Sequence, residues 1–237
     1  MKKTALITGG GRGIGKALAV RAAELDYNLA LAARTLSELE AVAEICTKLG
    51  SEVKIYQTDL SKPAEADNLF KQFIADFAKL DLLINNAGKI VCKPLLATSM
   101  ADWNDTIAVN LTAPFILCVH AFKQMKEQHG GTIINIASRL GLTAYENWSA
   151  YAASKHGLLG LAKVLAAEGQ PHGIRVHSIC PGRVNVERVI AEHPEFKKEL
   201  MIEAGDIADA MEYLLKLPSH TTVDFISVRT ADEEPVW

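Results

Sequence analysis

TALITGGGRGIGKAL, residues 4–18, is the stretch that decides the fold. A short apolar run ends in a cluster of five glycines and passes directly into a helical pattern. A strand that turns into a helix in this way leaves unpaired N–H groups and partial positive charge at the turn, which suits a phosphate. Gly9, Gly11, Gly13 and Gly15 permit a tight bend and close approach of the backbone to a pyrophosphate, with Arg12 and Ile14 set among them. A tight strand–helix turn with no ligand would use the same glycines. The position straight after the first strand favours nucleotide binding. A phosphate-loop NTPase is disfavoured, because Lys16 is followed by Ala17 where Ser or Thr is required.

Outward from this stretch, short apolar runs alternate with longer helical patterns. TALIT precedes a helix pattern over 14–25, NLALAA one over 36–49, and VKIY one over 63–78. DLLIN leads to a long pattern over about 100–128, GTIINIA to 149–168, IRVHSI to 206–217, and DFISV closes the series. Strand–helix alternation implies parallel strands with crossover helices, and runs apolar on both faces imply a sheet covered on both sides. The expectation is an α/β doubly wound parallel sheet of Rossmann type. It should form a single domain over 1–237, dinucleotide-binding and catalytic at once. The 237 residues, with 49% hydrophobic and 22% charged, fit that size and class. A net charge of −3 offers no basic field for nucleic acid or anionic lipid. Four widely spaced cysteines read as free thiols of a reducing compartment and not as a disulfide frame or zinc site; no metal is expected. The N-terminal apolar run is too short for a signal sequence, and no run reaches a membrane span, so a cytoplasmic protein is expected.

The second strand should end near the adenosine ribose. An NAD site usually places a carboxylate there. This chain has Ala33, Arg34 and Thr35, with no acid until Glu38. A guanidinium grips a 2′-phosphate that a carboxylate would repel, so Arg34, with Arg12 as a second cation, favours NADP(H). Asp59 and Leu60 follow the third strand, where Asp59 can cap a helix or meet the adenine amino group.

Ser138 ends the strand GTIINIA, and SAYAASKHG (149–157) sets Tyr151 one helical turn before Lys155. Each residue alone has an ordinary structural reading. Together, at the carboxyl ends of strands, they compose an acid site. A free phenol has a pKa of about 10. An ammonium about 4 Å from the phenolate is worth about 4 kcal/mol at an effective dielectric of about 20. That brings proton transfer within reach of neutrality. Tyr151 would donate the proton, Ser138 would hold the same oxygen, and Lys155 would fix the tyrosine's charge state and meet the nicotinamide ribose.

With these residues in view, the chain resembles the short-chain dehydrogenase/reductase family over nearly its whole length. The resemblance rests on TGGGRGIG, NNAG at 85–88, Asn110 in IAVNLTAPF, Ser138, YAASK and the PG pair Pro181–Gly182. It implies a tetrad of Asn110, Ser138, Tyr151 and Lys155, with Asn110 holding a relay water behind Lys155. It implies that Asn86, Ala87 and Gly88 line the adenine-ribose side and that Pro181, Gly182 and Val184 meet the nicotinamide. It also implies a homodimer or homotetramer through the small-residue helix over 149–169. Val186 stands where many relatives carry a threonine, and Ala113 where a glycine is common. The end of the chain resembles 3-hydroxy acid dehydrogenases more than 3-oxoacyl-carrier-protein reductases, so the carbonyl or hydroxy substrate stays open. Residues 187–205 occupy the place of a substrate lid, or form a solvated helix and loop. Arg139 and Arg183 border the crevice and could bind a carboxylate or a phosphopantetheine. ADEEPVW reads as a terminal extension. The competing expectation is a non-catalytic NADP-binding sensor of the same fold; a sugar-nucleotide epimerase would need a shorter glycine spacing and a larger substrate domain.

Overall fold

The computed structural model describes residues 2–192 and 198–235. Seven strands form one all-parallel sheet in the order β3-β2-β1-β4-β5-β6-β7. They are β1 (Lys3–Thr8), β2 (Tyr27–Ala33), β3 (Val53–Gln57), β4 (Leu82–Asn85), β5 (Gly131–Ile136), β6 (Ile174–Pro181) and β7 (Phe225–Val228). The helices are α1 (Gly13–Glu24), α2 (Leu36–Lys48), α3 (Pro63–Phe77), α4 (Met100–Ile107), α5 (Ala113–Glu127), α6 (Ser149–Gly169), α7 (Glu187–Glu192) and α8 (Ala204–Lys216). This is the doubly wound, single-domain architecture read from the alternation of runs.

Successive residues of a strand point to opposite faces. Ile7, Leu29, Leu31 and Ile84 therefore feed one core, under α1, α2 and α8. Leu6, Ala30, Ala32 and Leu83 feed the other, under α3, α5 and α6. Phe73 of α3 is fully buried in that second layer. On the first layer, Arg21 of α1 bonds Asp209 of α8 at 2.6 Å and also Glu212, tying the first crossover helix to the last.

The long pattern over 100–128 is one helical run with a π turn, Ala108–Thr112, between α4 and α5. Met100–Glu127 is long and apolar enough to cross a membrane by length and composition alone. Leu117, Cys118, Ala121 and Met125 of this run are buried in the second core. The run is thus a crossover helix of the sheet. α4 opens with a capping box: Ser99 Oγ accepts from Asp102 N at 3.1 Å, and Asp102 Oδ2 accepts from Ser99 N at 3.1 Å.

Strand order reverses between β1 and β4, and a crevice opens there at the carboxyl edge. The end of the chain differs from its reading as an extension. Residues 230–235 fold back across that edge onto Arg139 and Arg183.

Candidate active site

The glycine turn is closed by backbone and held from β4. Gly9 N donates to Ala32 O at 2.7 Å. Asn86 Nδ2 donates to Thr8 O at 2.9 Å and to Gly9 O at 3.1 Å. Thr8 Oγ1 accepts from the N–H groups of Asn86 and Ala87 at 3.0 and 3.1 Å. Gly9 and Gly13 have φ of 65° and 53°, a region costly for other residues. A Cβ on Gly15 would collide with the carbonyl oxygen of Gly9. The N-terminus of α1 has no side-chain cap, in contrast to α4. A helix N-terminus without a side-chain cap can turn its first N–H groups to an anion, and the turn fits a pyrophosphate.

A cleft of about 1260 Å³ runs from this turn along the carboxyl edge. It is lined by every residue expected at the dinucleotide, from Gly9 and Gly11–Gly15 through Arg34–Thr35, Asp59–Leu60 and Asn86–Gly88 to Pro181–Gly182 and Val184. Ser138, Tyr151 and Lys155 line the same cleft. Asp59 Oδ1 accepts from Ser61 N at 3.1 Å and Ser61 Oγ at 2.8 Å, and these bonds hold its carboxyl below the usual range. The turn at Asp59 is therefore self-bonded, with its side chain at the cleft wall. Glu38 also lines the cleft and pairs with Arg12 at 3.5 Å. The sequence had Glu38 only as the next acid after Arg34. A Cβ on Gly11 would lie 2.9 Å from Glu38 Cβ, so the bare glycine is what lets α2 bring that carboxylate beside Arg12.

At the other end, Ser138 follows β5 in extended backbone, and its Oγ accepts from Leu140 N at 3.1 Å. Burial pushes the neighbouring Cys180 thiol up to about 11, against the opposing pull of the Ser138 N–H. Tyr151 lies in the first turn of α6. Lys155, one turn on, is only 3% exposed; its Nζ donates to Ile136 O at 2.8 Å and lies 5.7 Å from the Tyr151 ring centroid. The cation is thus fixed at the carboxyl end of β5, on the same side as the phenol. The Trp148 ring meets the Tyr151 ring edge-on at 5.6 Å.

Asn110 stands apart from the other three. It is fully buried in the π turn and is not part of the cleft wall. Its Oδ1 accepts from Lys89 N at 2.7 Å, and its Nδ2 donates to Lys89 O at 2.9 Å and Ser154 Oγ at 3.0 Å. Ser154 Oγ in turn donates to Tyr151 O at 2.7 Å. The side chain joins the loop after β4 to the first turns of α6.

Of the stretch 187–205, expected as a lid or a solvated helix and loop, residues 193–197 lie outside the described residues. Glu187, Val189, Ala204 and Gly205 border the cleft. Asn185 N donates to Ile202 O at 2.7 Å, so the two flanks of the stretch are joined. Val186, in the place of a threonine, packs 3.2 Å from where a Cβ of Gly13 would be.

A family model described as short chain dehydrogenase matches residues 3–195. An uncharacterized oxidoreductase of Thermotoga maritima is 38% identical over 189 residues, covering 80% of this chain and 74% of that protein. An alcohol dehydrogenase from the archaeon Thermococcus sibiricus, solved with 5-hydroxy-NADP, superposes with a TM-score of 0.90 at 28% identity and 99% of both chains. A metagenomic short-chain oxidoreductase solved with NADP gives 0.85 at 31% identity and 98% of both. A match over this much of the chain, on the fold and cleft described, makes the protein a member of the short-chain dehydrogenase family of oxidoreductases.

Proposed function

We propose that the protein is an NADPH-dependent reductase that interconverts a carbonyl and a secondary or primary alcohol, with Tyr151 as general acid and base. The reading is carried by the buried ammonium of Lys155, held by Ile136 O at one turn from Tyr151 and on the cleft that Ser138 lines. The two superposed oxidoreductases solved with NADP or its 5-hydroxy derivative support the cofactor. NADPH, when bound, supplies the hydride. Tyr151 would hand its proton to the carbonyl oxygen while Ser138 donates a hydrogen bond to the same atom. Lys155 would favour the phenolate and bind the nicotinamide ribose. Because the side-chain amide of Asn110 is engaged, a relay water would rest on a backbone carbonyl of the π turn, where helical bonding is displaced.

Arg34 would grip the 2′-phosphate, joined by Arg12 on exchanging its Glu38 partner for the phosphate; Asp59 and Leu60 would meet the adenine, and Asn86 to Gly88 the ribose beside it. Pro181, Gly182 and Val184 would hold the nicotinamide. Residues 187–205 would cover the substrate, which is a 3-oxoacyl thioester, a 3-hydroxy acid, an aldehyde or a diketone. We further infer a homodimer or homotetramer through the α5 and α6 faces, where Phe115, Val119 and Val164 are half-exposed. Sedimentation of a single monomeric species would overturn it. Three of the four cysteines are buried as thiols, which supports a reducing, cytoplasmic setting.

The test is a carbonyl panel with NADPH, run on the parent and on Tyr151→Phe. The variant is expected to lose at least about a hundredfold in kcat, with NADPH affinity by fluorescence little changed. Binding of NADPH by the parent without oxidation of it across the panel would make the chain a sensor.

A further inference from the structure

The segment after β7 crosses the carboxyl edge and seats a carboxylate between the two loops that flank the chemical end. Glu233 Oε1 pairs with Arg139 Nη1 at 3.0 Å and lies 3.6 Å from Arg183 Nε. Glu233 Oε2 accepts from Thr230 N at 3.1 Å, while the Thr230 hydroxyl donates to Asp232 Oδ1 at 2.5 Å. Arg139 Nη2 also donates to the carbonyl of Glu234, and Arg183 Nη2 donates to Asp232 Oδ2 at 2.7 Å. A Cβ on Gly182 would collide with the Glu233 carboxylate, so the absence of a side chain there admits it. Arg139 is 3% exposed, and its Nε has no hydrogen-bond partner among the described residues. Its charge is buried, and Glu233 is the carboxylate placed to balance it.

The sequence positions give this clamp its meaning. Arg139 directly follows Ser138, and Arg183 directly follows Gly182. Both arginines were candidates for binding an anionic substrate; both are instead turned onto the chain's own acidic segment. We propose that Glu233 is a positioning residue, which pins the loop after β5 to the loop after β6 and so fixes Ser138 against the nicotinamide side of the cleft. Removing one partner of a buried ion pair leaves the other charge uncompensated. Without Glu233 the Arg139 guanidinium would turn toward water, and the turn that carries Ser138 would follow it. Misplacement of about 1 Å at a reacting group costs up to about a hundredfold in rate.

The kinetic part rests on the proposed function; a second readout does not. Hydrogen exchange on the full chain should rise in Glu233→Gln over 137–142 and 181–184 and stay at the parent level over 1–57. With the substrate found in the panel, Glu233→Gln should lower kcat about 10- to 100-fold, with KM and NADPH affinity much less affected. In a Ser138→Ala background the same substitution should cost little more, because both act on one group. Glu233→Asp should recover part of the loss. Glu44→Gln, on an exposed face of α2 and paired with Lys48, should keep parent kcat. If Glu233→Gln does not fold, Glu233→Asp, which keeps a charge opposite Arg139 but shortens its reach, carries the same expectations at smaller size. A lowered melting temperature with parent kcat, or full additivity with Ser138→Ala, would overturn the proposal. If the parent turns over no substrate, the exchange pattern alone decides, and a rise spread evenly over the chain rejects the clamp.

Discussion

The loops after β1 and β5 sit on the same sheet edge and are finished in opposite ways. The loop after β1 is nearly all backbone: glycines at positive φ and a helix N-terminus with no side-chain cap. The loop after β5 and the α6 turn beside it present side chains already bonded within the chain, with Ser138 on Leu140 N, Lys155 of α6 on Ile136 O and Arg139 on Glu233. One half of the cleft is left for a ligand to complete. The other half is bonded within the chain, so its groups are held at fixed places, as the proposed proton transfer requires. Binding and chemistry should therefore be separable by mutation.

The largest expected effect is on the unfinished half. Gly15→Ala places a methyl against the carbonyl of Gly9 and should abolish NADPH binding. It should also lower stability by about 1–3 kcal/mol, the usual cost of overpacking. Calorimetry and fluorescence titration together read it; retained binding would mean that the glycine turn is not the pyrophosphate seat. Arg34→Ala is smaller and sharper. It should weaken NADPH by about tenfold or more, as for one lost charge-assisted contact of about 1.5–3 kcal/mol, and leave NADH unchanged. Equal losses for both cofactors would place Arg34 away from the 2′-phosphate.

The smallest effect lies in the sheet, away from the cleft. His177 in β6 is fully buried; its Nδ1 lies 2.7 Å from Val223 O, and its Nε2 has no partner among the described residues. Burial therefore depresses its pKa below 6.5. The unfolded chain binds this proton more readily than the folded one, so stability rises with pH across the window below about 6.5 and is lost as pH falls through it. Denaturant midpoints measured from pH 7 to 5 should fall in the parent and fall less in His177→Gln. Parallel profiles would remove His177 as a source of acid sensitivity.

Much of this was legible because strand and helix periods differ. Seven apolar runs of strand length, such as NLALAA and GTIINIA, separated by helical patterns fix a parallel sheet. The turn at 9–15, Ser138, Tyr151 and Lys155 could be placed on one edge because strand ends share it. What stayed hidden depends on contacts distant in sequence. Nothing local in ADEEPVW says that Glu233 meets Arg139, and nothing around Glu38 says that Gly11 will admit it beside Arg12. The π turn was hidden for another reason: IAVNLTAPF continues the helical pattern on both sides, and one residue of excess does not disturb it visibly.

That excess residue works as a keyed joint. Each residue of an α-helix turns the chain by about 100°. The bulge over 108–112 therefore sets the rotational phase of α4 relative to α5. Deleting a neighbour of Asn110 there would restore regular winding and swing Asn110 off both Lys89 and Ser154, unlatching the strand-four loop from the tyrosine helix. A stretch that looks like featureless apolar helix should thus refuse a one-residue shortening that helices of its kind often absorb near their ends.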